Sequence, residues 1–249
     1  MTRIKTATLL LLLMVLGTPL APVRAADRLV LATGEYEPFT GESLADGGPL
    51  TEIVRLAFAE AGFEVRIDFL PWKRGYVAAL DGQYDATFPY GRNADREKDF
   101  LFSESFFTLE RRMYYRAASG VNPEEPTTLK GKTYCSPVGY TLYKELGGMV
   151  DRKEILVQTA PNHSSCAKML DAGRVDFFIT TADAATVAFE KAGLKRKPMD
   201  KSIGKSENHL LVARTRPGAP ELIAAFNRGV AALKAKGQWS KIIAQHKIQ

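Results

Sequence analysis

Two stretches, AALDGQYDATFP at residues 78–89 and KMLDAGRVDFFI at residues 168–179, repeat one pattern along the chain. In each, an apolar helix ends in Leu-Asp near a glycine, and an Asp then introduces a hydrophobic strand. Predicted strands and helices alternate around both stretches, which is typical of right-handed parallel α/β units. The shared order of elements therefore predicts an α/β fold of two similar lobes with a cleft between them.

The elements around the two stretches follow the same rhythm. Before the first stretch lie the strand RLVLATG, a helix closed by Gly62 and the strand FEVRIDFLP. After a turn-rich segment, the second half begins with the strand KTYCSPVG and a helix that Tyr140 and Thr141 open. The tail predicts two helices that are broken at Gly237.

A polar segment with two arginines follows the first repeated stretch. The strand ends near Tyr90, and Arg92 and Arg96 then lie in a predicted loop before the apolar FLF at residues 100–102. Open α/β sheets bind their ligands beyond the carboxyl ends of the strands. We therefore expect these arginines to lie close to a ligand site.

The first 25 of the 249 residues have the pattern of a secretory signal peptide. Basic residues precede an apolar run from Ala7 to Gly17, and the run ends in the cleavage-like VRA at residues 23–25. A membrane anchor is the alternative, although the run is short for a bilayer span. We expect the mature chain to start near Ala26 and to be a soluble periplasmic protein without a lipid anchor.

Removal of the signal peptide changes the charge of the chain. The formal net charge falls from +6 to +3, because Arg3, Lys5 and Arg24 leave and no acid does. So small a charge on the mature chain argues against a nucleic-acid partner. The basic run GLKRKPMDKSIGK is local, and such a run is typical of a solvated loop or edge strand.

Cys135 and Cys166 are the two cysteines of the chain. In an oxidising compartment an even count favours a disulfide, and two buried thiols are the alternative. A bridge between them would close a loop of about 30 residues and would have a structural role.

The chain resembles the family 3 extracellular solute-binding proteins of ABC importers, best known for polar amino acids. The resemblance spans nearly the whole mature chain. It is carried by the order of the motifs EYEPFTG, GQYDATFP, ADREKDFLFSESFF, LKGKTYCSPVGYT, LDAGRVDFFIT and KGQWSKIIAQH. It implies a two-lobe periplasmic-binding-protein-like (type II) fold that closes on a ligand in its cleft. Lobe 1 would comprise residues 26–109 and 207–249, and lobe 2 residues 110–206, after the signal peptide at residues 1–25.

Arg96 occupies the position of the family's ligand-gripping arginine, in the motif ADREKDFLFS. A guanidinium presents a planar pair of donors to a carboxylate, so the resemblance implies that Arg96 binds the carboxylate of the ligand. The alternative is a surface ion pair of Arg96 with Asp95, Glu97 or Asp99. Arg92 matches no ligand position of the family, and a solvated or gate-lining role is open for it.

The resemblance also implies aromatic residues in the cleft. Tyr36 matches a residue that stacks on the ligand in amino-acid-binding members, and Trp72 follows a strand at the cleft. Either ring is alternatively part of the core. Tyr90 belongs to PYGRNA, which stands where members have small and hydroxyl pocket residues. Tyr140 and Thr141 would offer backbone N–H groups to an anion at a helix start, with ordinary helix capping as the alternative.

One departure concerns the acid that holds the α-ammonium of the ligand in amino-acid-binding members. Counting from Asp176, that position is Thr181 in this sequence. Asp183 and Glu35 are the candidate substitutes, and each is alternatively an N-cap or a hinge charge. The resemblance predicts a small polar ligand with a carboxylate, such as an amino acid.

We predict a solute-binding protein, not an enzyme, that acts as a monomer with an ABC permease in the inner membrane. A cyclohexadienyl dehydratase and a free ligand-sensing module for a membrane receptor are the alternatives. A dehydratase needs a general acid in the cleft, for which Glu35 and Asp183 are the candidates. His163, His209 and His246 lack the spacing of a metal site, so neither a metal nor a cofactor is expected.

Overall fold

The structure is a computed structural model that describes residues 27–140, 142–195 and 198–248. The predicted signal peptide at residues 1–25 and the predicted site residue Thr141 lie outside the described residues. Within the described ranges, no helix has the length and apolar character needed to cross a membrane.

Strands and helices alternate along the chain, as the sequence predicts. The strands are β1 (Asp27–Thr33), β2 (Phe63–Phe69), β3 (Ala86–Tyr90), β4 (Phe100–Phe102), β5 (Phe107–Tyr115), β6 (Thr133–Pro137), β7 (Leu156–Ala160), β8 (Phe177–Thr180) and β9 (Met199–Ala213). The helices are α1 (Pro49–Glu60), α2 (Trp72–Leu80), α3 (Ala94–Asp99), α4 (Lys144–Asp151), α5 (His163–Asp171), α6 (Ala182–Ala192), α7 (Ala219–Ala235) and α8 (Gln238–Gln245).

The strand order shows two parallel α/β units in one curled sheet. Along the sheet the order is β2-β1-β3-β9-β5-β8-β6-β7, and β4 pairs with β9 beside this path. β1 pairs in parallel with β2 and β3, and β6 pairs in parallel with β7 and β8. Each unit therefore has its first strand in the middle, and the predicted repeat of the two halves is confirmed.

Two antiparallel strands, β5 and β9, join the units. They pair from Phe107 opposite Asn208 to Tyr115 opposite Met199. The last residues of β9 then pair with β3 and β4 of the first unit, while β5 also pairs with β8 of the second. Because both strands are shared, the predicted lobe boundaries at residues 109/110 and 206/207 fall inside paired strands and stay a prediction.

The first unit has a core in which the C-terminal helix α7 lies directly on α1. Gly229 of α7 makes this possible, because a Cβ at that position would lie 1.9 Å from the carbonyl oxygen of Ala57. The chain thus returns to the first unit after building the second. The predicted break at Gly237 is confirmed, since this residue caps α8 with a φ of 69°.

The second unit contains the predicted disulfide. Cys135 of β6 and Cys166 of α5 are both fully buried and bonded to each other, with 31 residues of sequence separation. The bridge ties the central strand of this unit to the helix that covers it.

Two predicted element boundaries are wrong. Residues 92–99 are not all loop, because the Asn93 side chain accepts a hydrogen bond from the Arg96 N–H at 2.8 Å and starts the short helix α3.

The second error concerns Tyr140, which does not open a helix: α4 begins only at Lys144. Gly139 has a φ of 86° and the Tyr140 N–H donates to the Pro137 carbonyl, so a tight turn ends β6 first. The Tyr140 N–H is thus engaged in this turn, and the predicted anion contact at a helix start does not form there.

The disulfide leads to a prediction about the stability of the protein. Replacing both cysteines with serine (Cys135→Ser, Cys166→Ser) should lower the free energy of unfolding by roughly 3–4 kcal/mol, because the unfolded chain regains the entropy of the closed loop. Denaturant titration measures the loss. A reducing agent should destabilise the wild type and leave the double variant unchanged; an equal response of both proteins would contradict the assignment.

Candidate functional site

A cavity of about 620 Å³ lies between the two units. Its walls come from the segments that follow β1, β2, β6, β7 and β8, so every contributing strand presents its carboxyl end. Both units therefore contribute the strand ends at which open α/β sheets bind ligands. This cavity is the candidate functional site.

Four aromatic rings from both units meet in the cavity. Tyr36 and Trp72 follow β1 and β2, whereas Tyr140 and His163 follow β6 and β7. The Tyr140 ring stands nearly perpendicular to Tyr36, Trp72 and His163, with centroid distances of 5.9, 6.1 and 5.0 Å. The His163 ring also lies 5.9 Å from Tyr36. The rings thus form walls at right angles, with Tyr140 touching both units.

Trp72 makes a close contact between the two units. A Cβ at Gly34 would lie 2.6 Å from the Trp72 indole, and a Cβ at Gly139 would lie 2.9 Å from the Trp72 Cβ. The indole N–H donates to the Glu35 carbonyl at 3.2 Å. Glycine on both sides therefore allows the two units to close on one tryptophan.

Burial among these rings keeps the side chains of Tyr36, Tyr140 and His163 uncharged near pH 7. Burial raises the pKa of Tyr36 to about 12 and raises the pKa of Tyr140 well above its usual range. Burial also lowers the pKa of His163 to about 4. The phenols therefore hold their protons, and the imidazole is neutral.

Charged residues surround the rings. Glu37 of the first unit forms an ion pair with Lys191 of α6, so this pair crosses the cleft. The Glu35 carboxylate accepts the backbone N–H of Glu42 at 3.0 Å. Glu35, Glu42 and Lys73 also line the cavity.

The cavity brings together four of the predicted site residues: Glu35, Tyr36, Trp72 and Tyr140. Arg96, Tyr90 and Asp183 are not among the described residues of its walls. Asp183 lies in the first turn of α6, whose N-cap is Thr181.

Arg96 lies behind the aromatic wall. Its guanidinium donates to the Gly91 carbonyl at 2.7 Å and lies over the rings of Tyr90 and Tyr76, at 4.7 and 5.9 Å from their centroids. Burial lowers the pKa of Arg96. Tyr90 in turn touches Trp72 edge-on at 5.6 Å. Arg96 therefore supports the wall through Tyr90 in this arrangement.

Arg92 is solvated and pairs with a residue of the adjacent helix α3. Its guanidinium contacts the Glu97 carboxylate at 3.0 Å and lies over Phe102. Of the two roles left open by the sequence, the structure therefore favours the solvated one.

Sequence reasoning missed seven polar residues of the walls, namely Glu37, Glu42, Lys73, Asn162, His163, Ser164 and Lys191. Lys73 and Lys191 carry no local motif, and a lone histidine such as His163 is by default a surface or core residue. A signal for His163 exists, because it follows Asn162 just after β7, and Asn162 is the N-cap of α5. Its place at a strand's carboxyl end is the same signal that indicated Trp72.

Among the described residues, no group of three or more His, Cys, Asp or Glu side chains is arranged to hold a metal ion. The chemistry of the walls is that of a binding cavity with aromatic faces and carboxylates.

Residues 29–248 match the family described as bacterial extracellular solute-binding proteins, family 3. Among curated proteins, no match to the chain was found.

Solved structures share the fold at low sequence identity. A histidine kinase sensor domain with similarity to periplasmic binding proteins has 19% identity and a TM-score of 0.74, with 89% of this chain and 97% of that chain covered. An amino acid ABC transporter substrate-binding protein from Streptococcus pneumoniae, bound to L-arginine, has 19% identity and a TM-score of 0.66, covering 88% and 94%. The ancestral amino acid-binding protein AncCDT-1, a precursor of cyclohexadienyl dehydratase, has 18% identity and a TM-score of 0.67, covering 88% and 94%. These likenesses confirm the predicted two-lobe fold.

The close contact between Gly139 and Trp72 leads to a prediction about closure of the two units. Gly139→Ala should hold the two units apart, because the new Cβ meets Trp72 at 2.9 Å. Gly131→Ala is the matched control, since Gly131 has a similar φ of 75° and open space around its Cβ position. Small-angle scattering should give a larger radius of gyration for Gly139→Ala alone. Equal radii for the two variants would contradict the role of this contact.

The low pKa of His163 predicts a loss of stability in acid. The folded pKa of about 4 lies below the unfolded value of 6.5, so the unfolded chain binds the proton first as the pH falls. Stability should therefore decline between about pH 6.5 and pH 4. His163→Phe keeps a ring but cannot titrate, and its unfolding free energy should fall less between pH 7 and pH 5. Parallel losses in both proteins would contradict the assignment.

Proposed function

The chain belongs to the bacterial extracellular solute-binding proteins of family 3, and we propose that it captures a small polar ligand for an ABC importer. The observation that carries this proposal is the cavity between the two units, whose aromatic walls come from both. A ligand in such a cavity touches both units at once, so it favours the closed arrangement over the open one.

The contacts across the cleft support a mechanism of capture by closure. Tyr36 meets Tyr140 and His163, and Glu37 pairs with Lys191. These contacts connect segments on opposite sides of β5 and β9, and they are lost when the units separate. In the proposed cycle, ligand enters the open cleft, the units close on it, and the closed form docks on a permease in the inner membrane.

For the two lobes we propose the boundaries implied by the sequence, residues 26–109 with 207–249 for lobe 1 and residues 110–206 for lobe 2. The two strands β5 and β9 then serve as the hinge. We also propose export by a signal peptide at residues 1–25 and action as a periplasmic monomer, in keeping with the extracellular family.

Arg96 is proposed to contact a carboxylate of the ligand, as an amino acid or a similar compound would provide. Its place after the carboxyl end of β3 and its partial burial support this role. Tyr90 lies under the guanidinium and limits the directions in which it can move. A planar guanidinium held in this way suits bidentate contact with a carboxylate.

We favour binding over dehydration. A dehydratase needs a general acid that faces its substrate. Of the two acids predicted for that role, Asp183 is not among the described residues of the walls, and Glu35 is exposed at the rim.

Thermal unfolding of the mature chain with amino acids, small carboxylates and amines tests the proposal. A ligand at about 100 times its dissociation constant should add about 2.7 kcal/mol to the free energy of unfolding. Arg96→Lys keeps the charge and loses the bidentate geometry, so a carboxylate ligand should bind roughly tenfold more weakly or worse. Arg92→Lys is the matched control and should bind normally. Undiminished binding by Arg96→Lys would contradict the carboxylate contact.

A further inference from the structure

Part of the cavity wall is apolar and lies beside the cluster of four rings. Six of the described wall residues outside that cluster have apolar side chains larger than that of alanine: Phe69, Leu70, Pro71, Val138, Pro161 and Val187. The first three stand at the carboxyl end of β2 in the first unit, and the other three belong to the second unit. Both units therefore present hydrocarbon to the same space.

Four of these side chains lie outside the hydrophobic core. Among the described residues, the hydrophobic clusters neither contain nor pack against Phe69, Leu70, Val138 or Val187. Val138 is 59% exposed although it lines the cavity, and the other three are half-buried. Their apolar surface is therefore open to a ligand in the cavity.

Covering such surface strengthens the binding of a ligand. Each methylene group that passes from water to an apolar surface tightens binding roughly fourfold. A polar group placed against the same walls loses hydrogen bonds with water and gains none in return. The apolar walls therefore favour a hydrocarbon group on the ligand.

The charged groups of the walls are compatible with a hydrocarbon. Glu37 and Lys191 pair with each other across the cleft. Glu35, Glu42 and Lys73 are exposed, so their charges stay in water while a ligand covers the apolar residues. No charge of the described walls therefore has to lose its water or its partner to an apolar group.

The cavity also has room for such a group. Its volume of about 620 Å³ lies in the range of cavities that enclose drug-sized ligands, and such cavities are mostly apolar with a few polar groups. A cavity of this size holds a polar end and a hydrocarbon arm together.

We propose that the cavity binds a carboxylate that carries an alkyl or acyl arm. The arm lies against Phe69 and Leu70 of the first unit and against Val138 and Val187 of the second. Because the arm touches both units, it adds to the preference of the ligand for the closed arrangement. This inference rests on the proposed capture function, from which the carboxylate is taken, and it names the class of ligand that the cavity selects.

Chain length separates the arm from the polar end. We would titrate the mature chain with acetate, butyrate, hexanoate and octanoate, and with the N-acylglycines that carry the same acyl groups, by calorimetry. In at least one series the dissociation constant should fall roughly tenfold or more from the acetyl to the hexanoyl arm. The heat capacity change of binding should become more negative along the same series, because more apolar surface is covered.

A charged arm of equal length is the matched control for the ligand. Adipate and N-adipoylglycine keep the chain length of hexanoate and N-hexanoylglycine but end in a second carboxylate. Each should bind at least about tenfold more weakly than its partner, because the second carboxylate would lose its water against the apolar walls. Equal binding of the two partners would overturn the inference.

Variants of the apolar wall locate the arm. Val138→Ser and Val187→Ser remove hydrocarbon where no described core cluster depends on it. For the longest probe that binds, each should weaken binding roughly threefold to tenfold, and the gain per methylene should shrink. Val157→Ser is the matched control, because Val157 is 37% exposed and lies outside the described walls; this variant should bind normally.

The outcomes distinguish the inference from the proposed function, with succinate and glutamine as short polar ligands. Affinity that rises along a series and falls only in Val138→Ser and Val187→Ser supports both. Binding of succinate, glutamine or acetate with no gain from a longer arm overturns the inference and leaves the capture function standing. An equal loss in Val157→Ser also overturns the inference, since the arm would then not lie in the cavity. No binding of any probe overturns the inference and counts against capture itself.

Discussion

The contact of Trp72 with Gly34 on one side and Gly139 on the other is the constraint on which the site depends. At Gly34 the Trp72 indole leaves no room for a Cβ, and at Gly139 the Trp72 Cβ leaves none. One of these glycines ends β1 of the first unit, and the other lies in the turn after β6 of the second. Trp72 therefore packs against both units, and its ring meets the Tyr140 ring of the second unit across the cleft.

A row of contacting side chains leads from Arg96 through Trp72 to His163. Arg96 lies over Tyr90, Tyr90 meets Trp72, and Trp72 meets Tyr140, which touches His163. The row begins at the short helix α3 in the first unit and ends at the first turn of α5 in the second. Because its members touch in sequence, a change at Arg96 also reaches the Trp72 wall of the cavity through Tyr90.

The sequence could predict the fold because its signals are local. Apolar periodicity and a glycine after Leu-Asp each depend on a few neighbouring residues, and the even cysteine count is read directly from the sequence. The structure confirms the alternating units and the Cys135–Cys166 bridge. The candidate site could be predicted in part, since Tyr36 stands in a family motif and Trp72 follows a strand end. Arg96 is expected beside them, and its guanidinium lies over Tyr90, which contacts Trp72. The helix α3 that carries Arg96 is too short to show periodicity, so the sequence could not predict it. The tight turn at Gly139 likewise delays α4 and leaves Tyr140 as a wall residue.

The most direct test of this account is the distance between the two units with and without Trp72. Spin labels at Val77→Cys and Leu156→Cys would report it, because these side chains are 43% and 60% exposed on opposite units. Pulsed electron paramagnetic resonance measures the distance distribution in the labelled protein and in the same protein with Trp72→Ala. The account predicts a narrow distribution at short distance that becomes longer and broader when Trp72 is removed. The same narrow distribution in both proteins would contradict it, because closure would then not depend on the Trp72 indole.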